Sequence, residues 1–416
     1  MNYSSIRAQQ LISKPASRAN RLEAMYVGLQ DSSQLDPMGR LRVSSSTVIF
    51  ASKQIYSYQP LLWDHATTGS GSITYNQPTA SSTLAINGAG TAIRQTRRRF
   101  VYEPGRSLSI FRSVNLKDGD GATKRIGYFD ENNGIFLEQL GGRLYFVKRS
   151  SVTGAPVDSP IGQDEWNVDR FNGLGLSGVK LDPTKIQIVC FDFEWHGAGR
   201  VRCGFLVDGK IQYAHEFLHA NYADSVYMST PNLPIRVELT GNAVVSFDHI
   251  SAAVSSDGGY DIVPFDRAVD SGITPLSTNL TTLSPLISIR LKSSAKGAAI
   301  FTEKVDLLCT TTATFKWALL LNPVVVGGSL SFTGVADSVV EYSANTNAAL
   351  SLTGGHQLAS GYAAQGNAAQ LNLNVRTFVS PGFSIGGNPD FLCLAVQKIT
   401  GATESFYGSL RWLEFL

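Results

Sequence analysis

Short runs in which apolar and polar residues alternate recur along most of this chain, and they predict β-strands. The clearest stretch runs from Ile126 to Val147, where Asn133-Gly134 and Gly141-Gly142 interrupt the alternation. These pairs supply the positive φ angles that tight hairpin turns demand, so three short strands form a meander. A second meander follows. Val189, Phe191, Phe193 and Trp195 are large and apolar, while Asp192, Glu194 and His196 point the other way. After a turn around Gly197-Ala198-Gly199, the residues Val201, Cys203, Phe205 and Val207 alternate with Arg200, Arg202 and Gly204. Asp208-Gly209 then turns the chain into Lys210-Ile211-Gln212-Tyr213. One face of this sheet is expected in the core and the other wet or facing a partner.

The pattern divides the chain. Residues 1–46 read as an N-terminal arm, with a short helix predicted around Ala19 to Leu29 and a turn at Asp36-Pro37-Met38-Gly39. Residues 47–258 form a first sandwich, closed by the break at Ser255-Ser256-Asp257-Gly258-Gly259. Residues 259–416 give a further strand series, at Leu286–Leu291, Thr314–Leu321 and Phe391–Gln397, with Asn322-Pro323 ending the middle one. The expected fold is all-β: two antiparallel, jelly-roll-like β-sandwich domains preceded by an arm.

Composition sharpens this. Charged residues make up 16% of the 416 residues, against roughly 25% in an ordinary domain. Such a surface suits contact with neighbours, because charge is depleted at interface cores. The net charge of +2 gives no electrostatic case for direct nucleic-acid binding. The one basic cluster, Arg94, Arg97, Arg98 and Arg99, sits in a strand-like segment that would split it between two faces, and a solvated or intersubunit face is expected. Cys190, Cys203, Cys309 and Cys393 lack paired spacing, so buried free thiols are expected. No stretch approaches the roughly 18 apolar residues of a membrane span, and the N-terminus lacks a signal peptide's apolar run. Synthesis in a cytoplasm, without classical secretion, is the expectation.

Two constellations mimic enzymes. His215-Glu216-Phe217-Leu218-His219 matches the H-E-x-x-H zinc motif, whose chemistry needs a helix to bring both histidines onto one face. Here the segment continues a strand, in which four residues span about 13 Å, too far for two ligands at ~2.1 Å from one zinc. Asp192, Glu194 and His196 share a strand face, but pairing of the carboxylates with Arg200 or Arg202 across the hairpin is the expected use. Trp63 and Tyr75 are aromatics that would stack on a sugar if exposed, with core packing the plainer expectation. No catalytic, cofactor-binding or metal-ligating residue is assigned.

Several segments resemble virion structural proteins of tailed phages from marine and metagenomic phage genomes. They are Asp36-Pro37-Met38-Gly39-Arg40-Leu41-Arg42-Val43-Ser44, Ser52-Lys53-Gln54-Ile55, Gln59-Pro60-Leu61-Leu62-Trp63-Asp64, Thr123-Lys124-Arg125-Ile126-Gly127-Tyr128-Phe129-Asp130, Asp192-Phe193-Glu194-Trp195 and Tyr227-Met228-Ser229-Thr230-Pro231-Asn232-Leu233-Pro234, with Tyr407-Gly408-Ser409-Leu410-Arg411-Trp412 near the C-terminus. The Val207-Asp208-Gly209 hairpin also looks like that of concanavalin-type jelly rolls. The resemblance implies a non-enzymatic subunit of a virion, capsid- or tail-associated, packing against other virion subunits and against copies of itself. The alternative is a glycan-binding receptor-recognition module of a tail or head fibre.

Overall fold

The computed structural model describes residues 35–42, 46–117, 121–257, 263–279, 281–310, 314–364, 369–371, 379–400 and 403–416. The helix expected near Ala19 to Leu29 and the Gly258-Gly259 end of the interdomain break lie outside the described residues. Within them the chain is all-β, and its only helical turns are the short 3₁₀ segments Gln163–Glu165 and Ser293–Ala295.

In the first sandwich the strands form one continuous antiparallel sheet. It begins with β1 (Thr47–Lys53), β2 (Trp63–Gly69), β3 (Ser72–Asn76), β4 (Ser81–Thr96) and β5 (Leu108–Asn115). The first meander is β6 (Ala122–Phe129), β7 (Gly134–Leu140) and β8 (Arg143–Ser150), followed by β9 (Val157–Gly162). The second is β10 (Ile186–Phe193), β11 (Val201–Val207) and β12 (Lys210–Phe217), and the long β13 (Ile235–Ser256) completes the sheet. Both meanders match the alternation read from sequence, with left-handed backbone at Gly141, Gly142, Asp208 and Gly209. Ser255 and Ser256, read as part of a break, instead extend β13.

β13 belongs to two layers. Its first part, Ile235–Gly241, pairs with β6, which leads outward through β7 and β8 to β9. Its last part, from Asp248 to Ser256, pairs with β5, which leads through β10 and β11 to β12. β4 runs beside β13 from Arg236 to His249, and β1 takes over from Ser251 to Ser256.

The ribbon of β2, β3, β4 and β13 is folded back on itself. Arg94 lies opposite Val237 and Ser82 opposite His249, levels that would be ~40 Å apart on a straight strand. Yet the Trp63 ring centre is 4.5 Å from the Arg94 guanidinium carbon and 5.0 Å from the His249 ring centre. Gly69, Gly90 and Gly241 lie in register across the three strands between those levels. The close approach there excludes side chains: a Cβ on Gly71 would stand 2.0 Å from the Thr91 carbonyl oxygen.

The two layers close on apolar rings. Phe146 of β8 meets Phe191 of β10 at 6.1 Å and Phe205 of β11 at 5.9 Å between ring centres. The second sandwich has its own core. Glu404–Phe415 pairs with Phe265–Asp270, Leu276–Thr278 and Ala299–Cys309 in one sheet. Phe391–Lys398 lies between Ser284–Leu291 and Thr314–Leu321 in the other. Phe315 and Phe406 touch across the layers at 5.1 Å, beside the buried indoles of Trp317 and Trp412. All four cysteines are free and buried, as expected.

The basic cluster departs from expectation. Strand β4 ends at Thr96, so Arg97, Arg98 and Arg99 are not split by alternation, and none of the four arginines forms a solvated face. Arg94 is wholly buried. Arg97 donates to Asp64 and to Asp390 of the second sandwich, both at 2.7 Å. Arg98 lies over Phe100 at 5.6 Å and over Phe301 of the second sandwich at 5.2 Å. Arg99 pairs with buried Asp130 at 2.5 Å. Arg97 and Arg98 join the two sandwiches within one chain, while Arg94 and Arg99 are tied into the first.

Candidate functional site: a charged face covered by the arm

Phe191 and Phe193 enter the core, so strand alternation sends Asp192 to the opposite face of β10, in register with Arg202 of β11. There a single oxygen, Asp192 Oδ2, accepts from Arg202 Nη2 at 2.6 Å, from Arg42 Nη2 at 2.7 Å and from the Tyr213 hydroxyl at 2.7 Å. Arg202 also donates to the Leu35 carbonyl at 2.5 Å, and Arg200 Nε to the Pro37 carbonyl at 2.8 Å. Arg40 donates to Asp36 at 2.6 Å and to Glu194.

Residues 35–42 therefore lie on this face as a lid. Their shape comes from Asp36, whose Oδ1 accepts from the backbone N–H groups of Met38 and Arg40, with Gly39 at φ 78° finishing the predicted turn. The face expected to be wet or partner-facing is instead covered by the same chain. The expected cross-hairpin pairing holds for Asp192 with Arg202, whereas Arg200 reaches the arm's carbonyls and Glu216 of β12.

Burial raises the Glu194 carboxyl from 4.5 to about 7, with the Arg40 charge pulling against it and Asp36 reinforcing it. Burial also works against the charge on Arg42, but Asp192 and Asp257 hold this guanidinium above its ordinary range. His196 stands at the rim in left-handed backbone, φ 37°, with Nε2 accepting from the Gly105 N–H at 3.1 Å. Asp192 and Glu194 are thus engaged with arginines, which suits holding the arm in place more than handling a proton on a substrate.

The H-E-x-x-H residues do not converge. Ala214 is a bulge on β12: its neighbours Tyr213 and His215 lie opposite the consecutive Gly204 and Cys203 of β11, which breaks the period-two pattern. Tyr213 faces the arm, and His215 packs edge-on against Phe217 at 4.6 Å. His219, past the end of the strand, stacks on Tyr227 at 4.0 Å, with Nδ1 2.7 Å from the Gly199 carbonyl and Nε2 3.2 Å from Lys148 Nζ. Burial lowers both histidines to about 4. Among the described residues no group of three or more His, Cys, Asp or Glu side chains is placed to hold a metal.

Next to the lid is an open, mainly apolar cleft of about 480 Å³. The arm contributes Pro37 and Met38, the β10–β11 turn His196 and Ala198, and the segment after β12 Leu218, His219 and Tyr222. Tyr222 is 78% exposed there. Trp63 is buried in the core, as expected, and the Tyr75 hydroxyl donates to the Gln54 and Ile55 carbonyls.

The fold and this face define a protein of curled antiparallel sheets, a β-sandwich with jelly-roll character. No family model matches the chain, and neither does any curated protein. Among solved structures it is similar to the carbohydrate recognition domain of Emp47p, at 10% identity over 50% of this chain and 96% of that one, with a TM-score of 0.31. The laminarinase from Rhodothermus marinus is 11% identical over 51% and 98%, with a TM-score of 0.33. The legume lectin-like domain from Entamoeba histolytica is 9% identical over 51% and 98%, with a TM-score of 0.30.

Proposed function

We propose that the chain is a non-enzymatic structural subunit of a tailed-phage virion, capsid- or tail-associated, that works by packing against other subunits and copies of itself. The observation that supports this is how the surface is divided. Acidic and basic groups with chemical potential are spent on each other within the chain, as at Asp192 and Arg97, while large apolar groups are left outside. Single exposed apolar residues are ordinary, but here they come in neighbouring sets. Leu174 and Leu176 stand 90% and 87% exposed in one loop, and Met38, Leu218 and Tyr222 share the cleft. Paired apolar groups on a charge-poor surface suit burial against another subunit.

Quantitative mass spectrometry of purified particles tests the reading. A fixed copy number relative to the major capsid protein is the expected result, and absence from the particle would overturn it.

A glycan-binding role on a fibre is the second reading. The exposed Tyr222 ring beside His196 is the observation in its favour, since an aromatic face with a nearby polar group stacks on a sugar. A glycan array probed with the intact protein and with Tyr222→Ala separates the two. Binding that Tyr222→Ala abolishes would support recognition, and an empty array would leave packing as the cleft's use.

A further inference from the structure

Where the first sandwich's ribbon folds back, basic side chains are set within the apolar core around Trp63. Arg94 of β4 and Arg112 of β5 are both fully buried, and their guanidinium carbons lie 4.5 Å and 5.6 Å from the ring centre of Trp63. His249 of β13, also fully buried, has its ring 5.0 Å from the same indole. Arg94 is partly satisfied, donating to the Tyr58 carbonyl at 2.7 Å and to His65. Arg112 is not: Nε, Nη1 and Nη2 all lack a hydrogen-bond partner, as do Arg94 Nε and His249 Nε2. Among the described residues no carboxylate pairs with either arginine.

A guanidinium keeps its charge in proteins and carries five donors. Leaving one bare in a closed interior is strongly destabilising, and a second buried cation beside it adds to the penalty. Water would answer the donors but not the charge. A small anion answers both.

We propose that this interior is a binding site for one small inorganic monoanion, held between Arg112, Arg94 and His249 and enclosed as the sandwich folds. Arg112 supplies a pair of converging N–H groups from its fork, Arg94 its Nε–H, and His249 the Nε2–H of its neutral form. Trp63 fixes the spacing by taking a cation against its ring from each arginine. The anion is a structural ligand of the fold corner, separate from the arm-covered face.

Because the groups are closed off, the test starts from unfolded protein. The full chain is unfolded in urea and refolded in sodium bromide or in sodium gluconate of equal ionic strength, gluconate being too bulky to enter. Crystals of the bromide-refolded protein are then measured at the bromine absorption edge. The expected results are an anomalous peak against Arg112 and a thermal midpoint that climbs with bromide concentration but not with gluconate. Arg112→Met should lose both the peak and the bromide dependence, and Arg112→Lys should keep the dependence. If Arg112→Met does not fold, the wild-type peak and salt series decide alone. No peak with equal midpoints in the two salts would overturn the proposal. So would a peak that persists in Arg112→Met, which would mark an adventitious ion only.

Discussion

At the scale of single residues, buried charge governs how this protein responds to substitution and to pH. Asp192 is a counter-ion of Arg202 and Arg42, so Asp192→Ala takes a negative partner away from a buried guanidinium. Removing one partner of such a pair costs about 3–5 kcal/mol, and a urea midpoint reduced accordingly is the expected result; an unchanged midpoint would show the network to be idle. The titrating groups act in opposite directions. His65, His215 and His219 fall from 6.5 to about 4, chiefly through burial. The unfolded chain binds their protons first, so stability is lost as pH falls from about 6.5 towards 4. Glu194 is raised from 4.5 to about 7, so the folded chain binds that proton first and stability falls as pH rises through this window. Denaturation at a series of pH values should show His219→Gln with a shallower acid limb than wild type and Glu194→Gln with a steeper one. Parallel curves would rule out both contributions.

At the scale of elements, the strands were legible where one face is apolar and a glycine marks the turn. Both meanders obey that rule, because burial of alternate side chains and a positive φ are local demands written into neighbouring residues. The role of the arm was not legible. Its signal is present, since Arg40 and Arg42 stand two residues apart as Asp192 and Glu194 do. The match joins segments about 150 positions apart, however, and only the fold brings them together. The bulge on β12 was equally hidden, as no glycine or proline announces it at Ala214. The basic cluster misled because alternation was extended past Thr96, where β4 stops. The glycine corner yields its own prediction. Gly71→Ala drives a Cβ against the Thr91 carbonyl, and since the obstacle is backbone, at least about 1–3 kcal/mol of strain is expected. Gly386→Ala serves as control: its backbone is not left-handed, and a Cβ there meets nothing closer than 3.8 Å. Equal melting losses in the two variants would contradict the corner's tightness.

At the scale of the whole molecule, the two sandwiches have separate cores joined through polar contacts. Arg97 spans Asp64 and Asp390, Asn322 Nδ2 donates to Asp390 at 2.6 Å, and the Phe383 N–H donates to the Arg97 carbonyl at 3.0 Å. Cutting the side-chain part of this link with Arg97→Ala should uncouple the cores, so that calorimetry of the variant shows two transitions where the parent shows one. A single unsplit transition would mean that the apolar contact of Arg98 with Phe301 suffices to couple them.

The long strand β13 has a consequence for synthesis. Four earlier strands, β1, β4, β5 and β6, find their partner in it, and it is the last strand of its sandwich to leave the ribosome. Neither layer can close until about residue 256 has emerged. Until then the edges of β1, β4, β5 and β6 that β13 will cover stay open, so the nascent chain is at its most aggregation-prone just before completion of its first domain. Slowing translation ahead of codon 235 should therefore lower soluble yield, whereas the same pause placed after codon 320, once β13 has cleared the exit tunnel, should leave it unchanged.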